Sequence, residues 1–424
     1  MSSLTEMGLN VTDQLSEGLH AALKAAGLPL PEELLWEVPR EALHGDYATN
    51  AAMQLARSVG RSPRQVAELI AKHWPGLPAV ERVEVAGPGF VNVFLSPSWC
   101  VEAAREILAA GPEYGRSARG YGEKVRIEFV SANPTGPLVI VSARAAAVGD
   151  ALARILRSQG YTVFTEYYVN DAGNQATMLA RSLEARVRQA LGEVVELPQE
   201  GYPGEYLVDL AREYLAEEGS RSLSEPEAIR LEQFGRYAVR RIREEQERVL
   251  RAYGAEFDRW VSEDLQIRKP GLPEKTIELL RAKNLVYDAD GALWFRASRF
   301  GDDEDRVLVK SDGELTYFAA DIAYHLFKFR DVDRLIDLIG PDHHGYVPRI
   351  KAAMLALGKP AEAIQVLIVQ LVTLLRGGQP VRMSKRRGEF VLMEELIEEV
   401  GRDAARFTFL TRRHDSPWSS TSRS

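Results

Sequence analysis

The stretch from Lys124 to Tyr167 constrains the fold more than any other part of the sequence, because it has the pattern of a parallel β-α-β unit. Val125 to Val130 is predicted to form a buried strand, and Thr162 to Tyr167 a second strand. Between them, a loop with two prolines and a glycine at Ser131 to Leu138 leads into a predicted helix from Ala143 to Ser158. Parallel strands joined by a helix bring that loop to the carboxyl end of the sheet, where such folds bind ligands. The sequence therefore predicts an α/β fold with a Rossmann-type parallel sheet.

The residues before this unit predict a small α+β domain. Val11 to Ala26 has the spacing of an amphipathic helix, and Ser62 is the expected N-cap of a helix that runs from Pro63 through Trp74. Arg82 to Leu95 alternates around a Gly-Pro-Gly break, as two strands joined by a turn do. Glycine becomes frequent just before residue 118, where we place the end of this domain.

The residues after the unit predict a helical insertion followed by further strands. The stretch from about 176 to 266 is mostly helical in pattern and strongly charged, as expected for an insertion over the sheet. A helix is predicted at 347–357, and the later strands are predicted at Ala292 to Phe295, Val307 to Val309, Leu335 to Ile339 and Val366 to Val372. We expect a catalytic Rossmann domain over residues 119–400 and a further region over residues 401–424.

Composition and charge exclude several classes of protein. With 53 Lys and Arg against 61 Asp and Glu, the net charge of −8 argues against a uniformly basic nucleic-acid surface, so any RNA contact would be a local patch. The single cysteine, Cys100, excludes an internal disulfide and a zinc knuckle. Because we find neither a signal-peptide pattern nor an apolar run of membrane-spanning length, we expect a cytoplasmic protein without membrane contact.

Two segments have the features of phosphate-binding loops. The loop from Glu128 to Pro137 lies between a buried strand and a helix, so its backbone N–H groups and the helix dipole could bind an anion. The alternative to an anion-binding loop is a rigid connection capped by Asn133.

The segment from Arg382 to Gly388 places consecutive cations beside glycines and could close over developing phosphate charge. The alternative is a solvated surface loop, which such runs often form.

Two further clusters place polar groups beside apolar ones. Tyr317 and Asp321 are four residues apart and would share one face of a helix, where Asp321 needs a cap, a partner or a cationic ligand. The alternative is a core helix with a satisfied carboxylate. His343 and His344 follow an apolar strand, but adjacent loop residues rarely both point at one ion, so we predict no metal site.

In this order, the clusters resemble one family, the class I arginyl-tRNA synthetases. The segments that carry the resemblance are EFVSANPTGPL, ARAAAVGDALARIL, EYYVNDAGNQ, TYFAADIAYH, DHHGYV and RMSKRRGEFV. GDYATNAAMQLA and PGFVNVFL are similar to the family's N-terminal domain, which implies that residues 1–118 contact tRNA. The resemblance also implies that residues 401–424 are only the start of the helical anticodon-binding region, and that tRNA affinity is weakened for that reason.

The activity that the resemblance implies is ATP-dependent arginylation of tRNA(Arg). The carboxylate of L-arginine attacks the α-phosphate of ATP, pyrophosphate leaves with Mg²⁺, and the terminal adenosine of tRNA accepts the arginyl group. Members of this family generally need bound tRNA to activate arginine. We expect the protein to act as a monomer, with Mg²⁺ brought by ATP rather than held in a dedicated protein site.

The same resemblance assigns candidate site residues. The arginine pocket would be formed by Glu128, Asn133, Tyr317 and Asp321, whose carboxylates suit a planar guanidinium. The implied ATP site comprises Pro134, Thr135, Gly136, Ser142, Asp342, His343, His344 and Met383. The implied catalytic residues are those of a KMSKS-like loop, with arginine in place of its first lysine: Arg382, Ser384, Lys385 and Arg386.

One signature of the family is missing. A His-x-Gly-His is expected at residues 139–142, where this chain has Val139-Ile140-Val141-Ser142. In the family these residues bond the phosphates and let adenine approach the backbone, and loss of one comparable donor costs about 2.7 to 4 kcal/mol of transition-state stabilisation. Ser142 could still donate one bond and cap the following helix.

The leading prediction is therefore an arginine–tRNA ligase, with two alternatives. The first is a paralogue that passes activated arginine to an acceptor other than tRNA, although the N-terminal domain would then have no evident use. The second is a catalytically weakened or silent protein that binds arginine or tRNA. The missing signature favours the second, whereas Lys385 and the complete set of arginine-pocket residues argue against it.

Overall fold

The computed structural model describes residues 11–376, 379–380 and 391–422. The chain divides into two compact units, Met1–Arg116 and Ser117–Ser424. Each unit has its own β-sheet and its own hydrophobic core.

The first unit packs helices against a three-stranded antiparallel sheet of order β1-β3-β2. Its elements are α1 (Val11–Ala25), β1 (Tyr47–Thr49), α2 (Ala51–Val59), α3 (Pro63–Lys72), β2 (Val80–Ala86), β3 (Phe90–Leu95) and α4 (Pro97–Ala110). The predicted hairpin is β2–β3, and Gly87 and Gly89 supply the positive φ angles of its turn. Ser62 forms the predicted N-cap of α3 in a reciprocal capping box with Gln65.

The second unit has a five-stranded parallel sheet, two three-stranded sheets and surrounding helices. Its helices are α5 (Ile140–Ser158), α6 (Asn174–Ala190), α7 (Tyr206–Glu217), α8 (Glu227–Ala252), α9 (Leu272–Ala282), α10 (Tyr317–Lys328), α11 (Val347–Ala356), α12 (Met393–Val400) and α13 (Arg402–Leu410). Its strands are β4 (Lys124–Glu128), β5 (Thr162–Val169), β6 (Arg259–Ser262), β7 (Val286–Ala289), β8 (Ala292–Phe295), β9 (Arg306–Val309), β10 (Arg334–Ile339), β11 (Ile364–Ile368), β12 (Val372–Arg376), β13 (Gln379–Pro380) and β14 (Trp418–Ser422).

The parallel sheet has five strands in the order β11-β10-β4-β5-β6, and every neighbouring pair is parallel. Helix α5 crosses from β4 to β5, and Ala147 shares one core with Val125 and Ile127 of β4. The predicted α/β fold with a parallel sheet is therefore confirmed. The carboxyl ends of β4, β5 and β10 lie side by side, which is the edge where candidate residues were expected to meet.

The helical insertion ends earlier than its charge pattern suggested. Helices α6, α7 and α8 pack around Leu183, Tyr214 and Phe234, as the helical periodicity predicted. Strand β6, however, lies inside the range 176–266 that was assigned to the insertion, and it pairs with β5 as the edge of the main sheet. A strand of four residues next to a long charged helix gives little alternation to detect.

Helix α5 begins at Ile140 rather than at Ala143, so Ser142 lies within its first turn and is 8% exposed. The N-cap residue is Val139, which makes no side-chain cap bond. The expectation that Ser142 caps this helix is wrong, because the backbone around Val139 pairs instead with residues 391–393 through hydrogen bonds of 2.9 and 3.1 Å. Partners so distant in sequence leave no local signal at the helix start.

The strand predicted from Val366 to Val372 is two strands. Strand β11 ends at Ile368, and β12 begins at Val372 and pairs with β13 and β14 instead of the main sheet.

Arg144 is fully buried at this break, and its guanidinium donates to main-chain carbonyls. The acceptors are Gln370 at 3.0 Å, Leu371 at 3.4 Å, Arg413 at 2.8 Å and Ser416 at 2.7 Å. The Arg144 guanidinium thus satisfies main-chain carbonyls that do not pair with a neighbouring strand.

Candidate active site

The connection between β4 and α5, residues 129–139, is here termed the β4–α5 loop, and it begins with a strained turn. Val130 and Ser131 have φ angles of +68° and +40°. Positive φ is uncommon outside glycine and is an outlier for a β-branched residue such as valine. Strain of this kind persists where surrounding contacts hold the backbone in place, and it is often found at functional sites.

The predicted loop residues occupy the middle of this connection. Asn133 is half-buried, and Pro134, Thr135 and Gly136 are buried. Asn133 and Gly136 accept hydrogen bonds through their main-chain carbonyls from Gln246. The loop is therefore attached to the helical insertion by its backbone.

Glu128 ends β4 and is bonded through both carboxylate oxygens. Its Oε1 accepts the Ser131 hydroxyl at 2.9 Å, and its Oε2 accepts the Tyr324 hydroxyl at 3.0 Å. The same Oε2 lies 2.8 Å from Lys328 Nζ. The charge of Glu128 is thus already matched by a cation of the protein.

Lys328 is a fully buried cation that bridges two carboxylates. Its Nζ lies 2.7 Å from Asp337 Oδ1 as well as 2.8 Å from Glu128, and His325 Nε2 lies 2.9 Å from Asp337 Oδ2. Burial lowers the pKa of Lys328, but Asp337 and Glu128 outweigh burial, so the pKa is raised overall. Burial raises the pKa of Asp337, but Lys328 and His325 hold it well below its usual range. We call Glu128, His325, Lys328 and Asp337 the Lys328 cluster.

Asp321 has no comparable partner. Among the described residues, no Lys or Arg forms an ion pair with this carboxylate; it is bonded to Tyr346, and its main-chain carbonyl lies 2.7 Å from His325 Nδ1. Burial raises the pKa of Asp321 to about 6; His325 and Tyr346 oppose the rise, and nearby Glu263 adds to it. A half-buried carboxylate with a raised pKa and no lysine or arginine partner favours a positively charged ligand.

Further acidic and aromatic groups surround this carboxylate. Glu263, directly after β6, is 4% exposed and pairs with Arg268 at 2.5 Å. Tyr168 is bonded to Glu263, and its ring lies 4.2 Å from that of Tyr324 between centroids. Burial, followed by the charges of Glu263 and Asp321, raises the pKa of Tyr168, which keeps its hydroxyl protonated. The surroundings of Asp321 are therefore acidic and aromatic; we call Asp321, Glu263, Tyr168 and Tyr317 the pocket around Asp321.

Tyr317 is the first residue of α10, one turn before Asp321, so the predicted helix is confirmed. Tyr317 is 69% exposed, and its hydroxyl lies near Gly173, the N-cap residue of α6. Thr316 caps this helix by accepting the Ala319 N–H at 3.3 Å. Tyr317 therefore lies at the open side of the pocket.

The remaining predicted residues are less defined. Asp342 and His343 are exposed on a 3-10 turn, Pro341–Tyr346, which also contains His344; the side chain of His344 is outside the description. Arg382, Met383, Ser384, Lys385 and Arg386 lie outside the described residues. In the part of the chain that is described, no group of three or more His, Cys, Asp or Glu side chains could hold a metal, and no helix is long and apolar enough to cross a membrane.

Two residues of the site were missed from the sequence. Lys328 resembled an ordinary cation in the last turn of a helix, where it would interact with the helix dipole. Glu263 was hidden because β6 was read as part of the insertion; a carboxylate directly after a strand was the available signal. Both residues become candidates once the strand order brings their ends to one edge.

Two family models match the chain. The model described as "Arginyl tRNA synthetase N terminal domain" matches residues 13–95, and that described as "tRNA synthetases class I (R), catalytic domain" matches residues 104–414. The chain is 50% identical over 386 residues to the arginine–tRNA ligase of Syntrophotalea carbinolica, covering 91% of this chain and 70% of that protein. It is 45% identical to the ligase of Symbiobacterium thermophilum over 425 residues, covering 98% and 75%. The solved arginyl-tRNA synthetase of Thermus thermophilus shares the fold, with a TM-score of 0.72 at 23% identity over 96% of this chain and 76% of that one.

Proposed function

Because the chain belongs to the class I arginyl-tRNA synthetases, we propose that it is an arginine–tRNA ligase whose pocket at the carboxyl edge of the parallel sheet selects arginine through Asp321. The observation that carries the assignment of the pocket is electrostatic. Asp321 is a half-buried carboxylate that forms no ion pair with a Lys or Arg among the described side chains, whereas Glu128 beside it is already paired with Lys328. A guanidinium would supply the missing charge and can bond a carboxylate with two parallel N–H groups.

The other pocket residues have roles that follow from their positions. Tyr317, at the open side, would cover the arginine side chain, and Asn133 on the β4–α5 loop would bond its amino-acid end. Glu128 is held by Ser131, Tyr324 and Lys328, so its orientation is fixed before arginine binds. A preformed site of this kind spends little binding energy on ordering its own groups.

Activation would take place beside the β4–α5 loop and the start of α5. A carboxylate oxygen of arginine forms a bond to the α-phosphorus of ATP, the bond from that phosphorus to the bridging oxygen breaks, and the electron pair leaves with pyrophosphate. We assign ATP contact by the resemblance alone, on the loop side to Pro134, Thr135, Gly136 and Ser142, and on the nucleotide side to Asp342, His343, His344 and Met383. Arg382, Ser384, Lys385 and Arg386 would neutralise the charge on the leaving pyrophosphate, with Mg²⁺ brought by ATP.

Transfer then consumes the arginyl adenylate. A ribose hydroxyl of the terminal adenosine of tRNA(Arg) attacks the arginyl carbonyl carbon, an ester bond forms, and AMP leaves. We assign the tRNA contact outside the acceptor end to residues 1–118 and the catalytic role to residues 119–400, with the helical anticodon-binding region starting at 401. The proposal includes action as a monomer in the cytoplasm.

The apolar segment at the start of α5 bears on the rate of activation. Ile140 is 1% exposed and belongs to the core, and Ser142 is buried, so neither replaces an exposed imidazole donor. The triple variant Val139→His, Val141→Gly, Ser142→His is therefore expected to raise the rate of ATP–pyrophosphate exchange, measured with tRNA present. A rate that stays at the wild-type value would show that these positions do not limit activation.

The direct test of the function is tRNA charging with labelled arginine, ATP and Mg²⁺, with Lys385→Ala as control. Charging by the wild-type chain that the control lacks would support the proposal. Absence of charging, together with intact arginine binding in calorimetry, would overturn the ligase assignment and favour a binding protein.

A further inference from the structure

The β4–α5 loop is held from outside by side chains of the helical insertion. Its strained residues, Val130 and Ser131, are followed by carbonyl groups that accept bonds from α7 and α8. A β-branched residue at positive φ relaxes to a commoner conformation unless its neighbours fix the backbone. The source of that constraint therefore decides where the loop lies.

Gln246 of α8 is the central contact. Its side chain is 1% exposed, its Nε2 donates to Asn133 O at 3.2 Å and to Gly136 O at 2.9 Å, and its Oε1 accepts the Tyr167 hydroxyl at 2.9 Å. Both amide protons and the amide oxygen are thus used. An amide rotated by half a turn would direct its oxygen at two carbonyl oxygens, so the surroundings permit one orientation only.

Tyr206, at the start of α7, provides a second attachment. Its hydroxyl donates to Thr135 O at 2.5 Å, and its ring covers Gly136, where an added methyl group would lie 3.4 Å from the ring. Burial raises the pKa of Tyr206, which keeps the hydroxyl a donor at neutral pH. Together, Gln246 and Tyr206 bond the carbonyls of residues 133, 135 and 136.

We propose that Gln246 is a positioning residue for activation: through Asn133 and Gly136 it fixes the β4–α5 loop in the conformation that binds arginine and ATP, so that the helical insertion controls the geometry of the site. This inference rests on the proposed function. Within the loop, Gln246 bonds only main-chain carbonyls, so it acts through the residues that the loop presents. Tyr206 supports the same geometry with a single bond.

The test variant is Gln246→Met, which has nearly the same shape but cannot donate a hydrogen bond. The matched control is Gln189→Met on α6 of the same insertion, where the amide bonds Val195 O at 2.6 Å, away from the loop. Tyr206→Phe removes the other attachment and is the second variant if Gln246→Met fails to fold. The full-length chain is used throughout, and its melting temperature is recorded for each variant.

Two measurements are made on each variant. The first is hydrogen–deuterium exchange of the peptide that covers residues 129–139, which is expected to become faster in Gln246→Met and in Tyr206→Phe but not in Gln189→Met. The second is ATP–pyrophosphate exchange with tRNA present. We expect the KM values for arginine and ATP to rise in Gln246→Met, with a loss of kcat/KM of about 100-fold, as displacement of a site by about 1 Å produces. Tyr206→Phe should lose about tenfold, since it breaks one bond instead of two.

The outcomes separate the two proposals. If Gln246 has only a structural role, Gln246→Met should lower the melting temperature and the active fraction, and therefore kcat. Both KM values and the deuterium exchange of residues 129–139 would then stay unchanged. That result would overturn the positioning role. Absence of ATP–pyrophosphate exchange by the wild-type chain would count against the proposed function. In that case, unchanged deuterium exchange of residues 129–139 in Gln246→Met would overturn the role of Gln246 in holding the loop as well, and faster deuterium exchange would support that role without supporting activation.

Discussion

The Lys328 cluster and the pocket around Asp321 lie at the same edge of the sheet, yet they treat buried charge in opposite ways. In the cluster, Lys328 bonds Glu128 and Asp337 at 2.8 and 2.7 Å, so the charges are compensated within the protein. In the pocket, Asp321 has no described cationic partner, and burial raises its pKa to about 6. The paired charges of the Lys328 cluster therefore stabilise the fold, whereas the carboxylate of Asp321 is available to a cationic ligand.

The largest effect on the free energy of unfolding is expected when the internal cation, Lys328, is removed. Lys328→Met leaves Glu128 and Asp337 buried without compensation, and such a loss destabilises proteins by about 3 to 5 kcal/mol. Urea unfolding followed by circular dichroism should show this decrease in the free energy of unfolding. The double variant Lys328→Met, Asp337→Asn should recover part of it, because one uncompensated charge is also removed; no recovery would mean that packing rather than charge is lost.

The second prediction concerns the ligand side of the contrast. Asp321→Asn should weaken arginine binding by about 2 kcal/mol or more, roughly 30-fold, because the guanidinium would lose its buried partner. The free energy of unfolding of the ligand-free protein should not fall, since no internal ion pair is broken. Isothermal calorimetry and urea unfolding of the same sample test both statements. Unchanged arginine affinity would remove Asp321 from the pocket.

A pH titration sharpens the comparison, because the two carboxylates shift in opposite directions. The pKa of Asp321 is raised to about 6 from 3.8, so the folded protein binds a proton that the unfolded chain has released, and stability falls as pH rises between these values. The pKa of Asp337 is lowered, so its contribution to stability is present above its unfolded pKa and is lost only as pH falls through its folded value.

Arginine binding should follow the Asp321 ionisation. Below pH 6 the affinity is expected to fall by about tenfold per pH unit, because the carboxylate must lose a proton to meet the guanidinium. In Asp321→Asn this dependence should be absent. Calorimetry at several pH values between 4.5 and 7.5, roughly spanning the pKa, measures it; an equal slope in the variant would assign the titration to another group.

The smallest effect is expected at an exposed ion pair, which serves as the reference for both regions. Arg64 and Glu68 pair at 3.2 Å on α3, with side chains 62% and 57% exposed. Solvent screens such pairs, so Glu68→Gln should change the free energy of unfolding by about 0.5 kcal/mol or less. A change as large as that of Lys328→Met would mean that burial does not explain the contrast.

Local sequence pattern was sufficient for the elements that carry the site. The strand that ends at Glu128 and the helix after the proline-containing loop were predicted and correspond to β4 and α5, and the i, i+4 spacing of Tyr317 and Asp321 is compatible with α10. Tertiary pairing determined the rest. Lys328 becomes a structural cation only because β10 brings Asp337 beside it, and the start of α5 depends on a backbone partner about 250 residues later. Neither relation leaves a periodic signal in the sequence.

The buried Arg144 has a consequence for the way the chain is made. Its carbonyl acceptors lie between 226 and 272 residues later in the sequence. During synthesis the guanidinium has none of these partners until Gln370 has emerged from the ribosome, and the set is complete only with Ser416. Contacts at such sequence separation close late in folding and leave earlier species exposed to aggregation. The packing around Arg144 is therefore expected to become complete only after Ser416 has left the ribosome, and nascent chains that stall before Ser416 should depend on chaperones.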